Sequence, residues 1–192
     1  MIMPVSTVRL YQIKVTLKHT KPPIWRRIQV LEDISLAKLH RVLQIVMGWY
    51  SCHLHQFIAG GRYYGVPDPD YDDFGTEMLD ERKFRLCELL LQPKRRIRYE
   101  YDFGDGWDHE LFLEKILSIA PGQRYPVCLA GAMACPLEDS GGPWGYYEKL
   151  EIIKNPDPDN IDHQQIVDWV PANFDPTAFD LNWVNAGLKR VR

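Results

Sequence analysis

A chain of 192 residues that is 45% hydrophobic and 26% charged can bury one sizeable core, and it is too apolar for wholesale disorder. A formal net charge of -3 and a pI near 6.1 exclude a general nucleic-acid-coating protein, which is basic, while leaving room for a local basic patch. No apolar run approaches bilayer-spanning length and residues 1–20 hold no signal-peptide core, so the expectation is a cytoplasmic protein with no membrane partner.

The first element is a half-buried strand over residues 8–20, in which Tyr11, Ile13, Val15 and Leu17 alternate with Gln12, Lys14, Thr16 and Lys18. Pro22-Pro23 breaks it, and residues 24–30 read as its hairpin partner. A helix follows over residues 36–47: Ser35 is a good N-cap, Leu36, Leu39, Val42, Leu43, Val46 and Met47 recur at helical spacing, and Gly48 supplies the stop. Residues 53–66 predict a hairpin turning at Gly60-Gly61, and the acidic, proline-broken stretch 67–81 predicts an exposed loop. A short helix at 85–91 and strands at 95–103 and 107–116 come next. From Trp144 onward the texture is helical, in the stretches 144–155, 162–170 and 175–190. The expected fold is a single α+β domain over residues 1–192, its largely antiparallel sheet packed by the 36–47 helix and the C-terminal helical segment.

The sharpest feature is "YDFGDGWDHE", residues 101–110, which places four carboxylates beside a tight turn between aromatic residues. A three-residue loop at Gly104-Asp105-Gly106 would set Phe103 opposite Trp107, Tyr101 opposite His109, Tyr99 opposite Leu111 and Ile97 opposite Leu113, all on one apolar face. On the other face Asp102 would oppose Asp108 and Glu100 would oppose Glu110, like-charge pairs costing about 0.2–1 kcal/mol each. With Asp105 in the turn, such a cluster calls for positive charge. A divalent cation such as Mg²⁺, Mn²⁺ or Ca²⁺, an internal arginine network through Arg26 or Arg27, or a basic partner would each supply it.

Other residues carry chemistry by type. His53 and His55 share a strand face if 53–58 is a strand, which would make half of a transition-metal site or simply a hydrogen-bonded pair. His109, on the apolar face, reads as a buried histidine held by a neighbour. The glycine-rich stretch 128–146 brings together Cys128, Cys135, Glu138, Asp139 and Trp144. Its Cys-x6-Cys spacing lies outside the usual zinc fingers and ribbons, so reduced, buried thiols are expected. Basic residues at Lys94, Arg95, Arg96 and Arg98, at Arg26-Arg27 and at the C-terminal "KRVR" read as solvated edges. No nucleophile elbow, phosphate-binding loop, HExxH or dinucleotide fingerprint is present.

"YDFGDGWDHE", then "ACPLEDSGGPWGY", then "FDPTAFDLNWVNAGL", in that order and together with "WRRIQV" and "HLHQF", resemble the plasmid pRiA4b ORF-3-like family from about Arg9 to Leu188. The resemblance implies an α+β fold found on plasmids, in mobile elements and in many microbial genomes, and it supplies no agreed chemistry. It implies recurrent polar positions at His53, His55, Asp102, Asp105, His109, Glu138 and Asp139. Met133 stands where relatives usually carry arginine, and Leu137 where a second proline is common.

The leading functional expectation is a non-catalytic binding module that uses the groove between the acidic hairpin and the 128–146 loop. It would hold a partner or ligand there through Asp102, Asp105, Asp108, Glu110, Glu138, Asp139 and Trp144. That partner would be a protein or nucleic-acid-associated machinery, in keeping with plasmid or mobile-element biology. Two alternatives stand beside it. One is a divalent-metal-dependent hydrolase or nuclease, its cation held by Asp102, Asp105 and Asp108 with His53 or His55 as base. The other is a scaffold in which the carboxylates meet arginines.

Overall fold

The computed structural model describes residues 8–67 and 77–191. Strands β1 (Leu10–Leu17) and β2 (Ile24–Leu31) form the expected hairpin, followed by helix α1 (Leu36–Met47) and strands β3 (His55–Ala59) and β4 (Arg62–Gly65). Then come β5 (Met78–Asp80), α2 (Leu86–Leu89), β6 (Arg96–Tyr101), β7 (Trp107–Leu117) and β8 (Val127–Ala132). Helices α3 (Gly142–Lys154), α4 (Ile161–Trp169) and α5 (Leu181–Leu188) close the chain.

All eight strands join one sheet in the order β5-β4-β3-β6-β7-β1-β2-β8, antiparallel throughout except for the β4-β5 pair. The fold is thus the expected single α+β domain. Its buried face carries Tyr11, Ile13, Val15 and Leu17 of β1, Ile97, Tyr99 and Tyr101 of β6, and Trp107, His109, Leu111 and Leu113 of β7. Helix α1 lies against that face and buries Leu36, Leu39, Val42, Leu43, Val46 and Met47, each worth about 1.5–3 kcal/mol. The Ser35 hydroxyl caps it by accepting the Lys38 N–H, and Gly48 ends it at φ 94°, a left-handed position that glycine fills without strain. Helix α5 buries Val184 and Leu188 and packs on α1 and β8.

Three expectations are corrected. Residues 127–132, read as loop, form edge strand β8, paired with β2. Small side chains hide its alternation, and its outer edge is held by the Asn185 amide, which accepts from Cys128 N and donates to Cys128 O, both at 2.9 Å. The acidic stretch 67–81 ends in β5; of the rest, residues 68–76 lie outside the described residues.

The third correction is the β6-β7 register, where Tyr101 pairs with Trp107, Tyr99 with His109 and Ile97 with Leu111. The connection spans residues 102–106 because Asp102 leaves the strand at φ 56° and its Oδ1 accepts from the N–H groups of Gly104 and Asp105. Gly106 N–H then closes the turn onto the Asp102 carbonyl at 2.6 Å. The shift is two residues, so the buried face is unchanged. Phe103, expected to face Trp107, is instead partly exposed. Asp102 leaves the outward-facing row altogether.

Candidate metal centre

Tyr101 anchors the site from the end of β6. Its ring is fully buried against Trp49, and its hydroxyl donates to Glu138 Oε1 at 2.9 Å while accepting the Cys52 N–H at 3.2 Å. Burial first, then the Glu138 carboxylate, pushes the Tyr101 phenol far above its ordinary value, so it stays a donor. One hydroxyl therefore ties the 49–53 turn to the loop that follows β8. The Trp49 indole N–H adds a bond to the Pro136 carbonyl at 2.9 Å, and Tyr50 N–H donates to the same Glu138 Oε1 at 2.9 Å. The hairpin tip docks on this loop as Asp105 Oδ2 accepts the Gly141 N–H at 2.9 Å. Gly142 makes that approach feasible: it holds φ 69°, and a Cβ there would collide with the Asp105 carbonyl oxygen.

These contacts leave a consistent pattern. Glu138 has Oε1 occupied by Tyr101 and Tyr50, and its Oε2 carries no hydrogen bond and no solvent contact. Asp102 has Oδ1 occupied by the turn amides, and its Oδ2 points toward His53. His53 Nε2 is likewise sealed from solvent and without a hydrogen bond. It stands 3.3 Å from Asp139 Oδ1, 3.6 Å from Asp102 Oδ2 and 3.9 Å from Glu138 Oε2. Metal–ligand bonds of about 2.1 Å give ligand–ligand edges of about 3.4 Å in a tetrahedron and about 3.0 Å in an octahedron. The distances to Asp139 and Asp102 fall on or next to those edges, and the Glu138 distance is longer than either. The Cys52 thiol also lies near His53 and Glu138, their donor atoms all within 4.8 Å of one another.

The site gathers some of the expected residues and not others. Asp102, Glu138 and Asp139 each come within 4 Å of His53 Nε2, forming two groups, His53-Asp102-Asp139 and Cys52-His53-Glu138, that share this imidazole. His55 does not join His53: it turns to Glu81 at 2.9 Å and stacks on His40 with ring centroids 3.5 Å apart. The shared-face expectation fails because His53 precedes β3 and does not follow its alternation. Asp105 is committed to Gly141. Asp108 pairs with Arg98 at 3.1 Å and Lys18 at 3.3 Å, and Glu110 with Arg96 at 3.1 Å. Asp102, Asp105 and Asp108 therefore do not share one centre, since Asp108 projects from the opposite sheet face.

The outer carboxylates are thus neutralised internally, but not by the arginines expected. Arg27 pairs with Glu114 at 2.7 Å, and Arg26 is buried against backbone carbonyls. Trp144 stands on the first turn of α3, 90% exposed. Cys128 and Cys135 are buried thiols outside the metal-like groupings, each raised by burial. Sequence reasoning did not single out Cys52, Glu81 or the positioning role of Tyr101. "YSCHLH" alone could have flagged Cys52 next to His53.

Known proteins agree with the fold and place the chain. The family model for the plasmid pRiA4b ORF-3-like protein matches residues 9–183. The chain belongs to that family. The chain is 36% identical over 188 residues to the uncharacterized protein y4hQ of Sinorhizobium fredii (strain NBRC 101917 / NGR234), covering 97% of this chain and 92% of that one. It is also similar to the crystal structure of MM3350, a protein of unknown function from Methanosarcina mazei Go1. That likeness has a TM-score of 0.79 at 36% identity and covers 92% of this chain and 98% of that one. Among the described residues no helix is long and apolar enough to cross a membrane.

For this pRiA4b ORF-3-like chain, the donors gathered around His53 define the chemistry available. One imidazole and three carboxylates suit a borderline or hard divalent ion of the first transition row. Asp139 is the exposed member at 73%, so one side of a bound ion would face water, while Tyr101, Tyr50 and the turn amides hold the other carboxylates in place.

Proposed function

We propose that this protein is a divalent-metal-binding module whose ion, Zn²⁺ or Mn²⁺, is held by His53, Asp102, Glu138 and Asp139, with Cys52 within reach. The observation that carries this reading is that Glu138 and Asp102 each have one oxygen committed to local donors while the other is directed at the unpartnered His53 Nε2. Three carboxylates around an imidazole carry excess negative charge that a dication offsets. The ion would clasp three segments, the 49–53 turn, the hairpin tip and the loop after β8, and the solvent side at Asp139 would offer it a position for a water or for an oxygen of a bound molecule. This keeps the binding-module expectation and makes the cation its ligand. The four cysteines are free thiols, which supports a reducing compartment such as the cytoplasm.

The test is calorimetric titration of EDTA-stripped protein with Zn²⁺ and Mn²⁺, beside elemental analysis of the protein as purified. One ion per chain, lost in His53→Ala, is expected. A chain that takes up neither ion, or whose His53→Ala variant binds as the parent does, removes the reading.

A further inference from the structure

Arg26 occupies an inward-facing position of β2, between Ile24 and Ile28, where the sheet pattern demands an apolar side chain. It is only 2% exposed. Its Nε donates to the Val46 carbonyl at 2.7 Å, and Nη1 donates to the carbonyls of Trp25 and Ala132, both at 2.8 Å. The guanidinium lies over the Phe179 ring at 4.5 Å. Among the described residues no carboxylate pairs with it and Nη2 makes no hydrogen bond. A buried cation without a counter-ion is expensive, and burial accordingly lowers the Arg26 value.

The same side chain lines a pocket of about 230 Å³ between α1, α5 and the loop after β8. Its walls are mainly apolar, with Met47, Leu137, Phe179 and Val184, and the exposed aromatics Tyr50 and Trp183 flank its mouth. Two lining carboxylates are already engaged: Glu138 through Oε1 with Tyr50 and Tyr101, and Asp180 as the cap of α5 through the Trp183 N–H.

We infer that this pocket is a binding site for a small organic carboxylate with a flat apolar body, whose carboxylate meets the Arg26 Nη2 edge while its body lies among Phe179, Val184 and Trp183. No carboxylate among the described residues offsets the charge, so the anion supplies a counter-ion, and the three carbonyl bonds fix the guanidinium before the ligand arrives. The volume suits a ligand of one ring and a short acid arm rather than a nucleotide or peptide. The site does not depend on the metal reading, although Glu138 borders both.

The experiment uses EDTA-treated full-length protein, so a failure of the metal reading leaves it intact. Phenylacetate, its neutral counterpart phenylacetamide, and inorganic phosphate are titrated by ligand-observed NMR and calorimetry. Phenylacetate should bind at least tenfold tighter than phenylacetamide, the scale of one charge-assisted hydrogen bond away from water, and tighter than phosphate. Binding should vanish in Arg26→Met. Because that variant can fail to fold, Ala178→Trp provides the second arm: Ala178 lines the pocket from its exposed side, so a tryptophan there should block the ligand without touching the core. Equal binding of acid and amide, preference for phosphate, binding that survives Ala178→Trp, or no binding of phenylacetate at about 10 mM would each overturn the inference.

Discussion

Replacing Asp102 by asparagine separates a metal ligand from a structural carboxylate. Asp102 does two jobs through two oxygens: Oδ1 holds the Gly104 and Asp105 amides, and Oδ2 faces His53. Asparagine keeps the first, since its amide oxygen accepts the same N–H groups, and it tolerates the left-handed backbone at φ 56°. It replaces the second with an amide group that neither coordinates nor carries charge. The metal-free variant should be as stable as the parent, or more stable by up to about 1 kcal/mol, because one of three converging negative charges is gone. At a free ion concentration of about 100 Kd, the parent gains about 2.7 kcal/mol from binding. For a chain of this size that is a rise in Tm of about 5–11 °C. A variant bound about 100-fold more weakly gains only about 0.4 kcal/mol under the same conditions, or about 1–2 °C. Melting curves of both proteins, metal-free and with Zn²⁺ or Mn²⁺, read the difference directly. A metal-independent parent, or equal shifts in parent and variant, refutes the assignment of Asp102 Oδ2.

The remaining predictions concern the frame around the site. His109 is fully buried on β7 and desolvation takes it down to about 4, while burial takes His40 down to about 3. Above the unfolded value of about 6.5 both states are neutral and the stability is intact; as pH falls below it the unfolded chain takes up protons that the folded chain refuses. Each histidine should therefore remove about 2 kcal/mol by pH 5, and urea unfolding between pH 7 and 5 should lose slope in His109→Gln by one proton's share. The Tyr99 hydroxyl, buried between His40 Nδ1 at 2.8 Å and Gln44 Nε2 at 2.9 Å, makes Tyr99→Phe cost about 1–3 kcal/mol in chemical denaturation, since the Gln44 donor is left unpaired. Gly142→Ala should push the hairpin tip off the loop by a clash with the Asp105 carbonyl at a positive φ. Its signature is weakened metal uptake together with a stability loss of about 1–3 kcal/mol; unchanged uptake would show that the tip docking does not shape the centre.

The sheet was legible wherever one face is buried against one exposed, because burial then specifies alternation: β1, β2, β6 and β7 all follow it. Helix α1 was legible down to both caps. β8 was not, since Cys128, Ala130 and Ala132 give too little contrast against Leu129 and Gly131, and its pairing is secured by a side chain 57 residues away. Arg26 shows the converse failure. Its place in the alternation pointed inward, yet its charge suggested the surface, and only the three carbonyls around it explain how the core accepts it.

The candidate centre was half legible for a related reason. An acidic hairpin announces that its charge needs balancing, but it does not say on which side of the sheet. Asp108 and Glu110 obey the strand and find Arg98, Lys18 and Arg96 on the outer face. Asp102 escapes through a single left-handed residue and is carried to the other side, where Glu138 and Asp139 arrive from a loop more than thirty residues later in the chain. A rotation at one backbone position thus divides one acidic cluster into a neutralised outer row and a convergent inner set. The inner set is the part with chemistry to offer, because Asp102 and Glu138 have each committed one carboxylate oxygen to the fold and kept the other free.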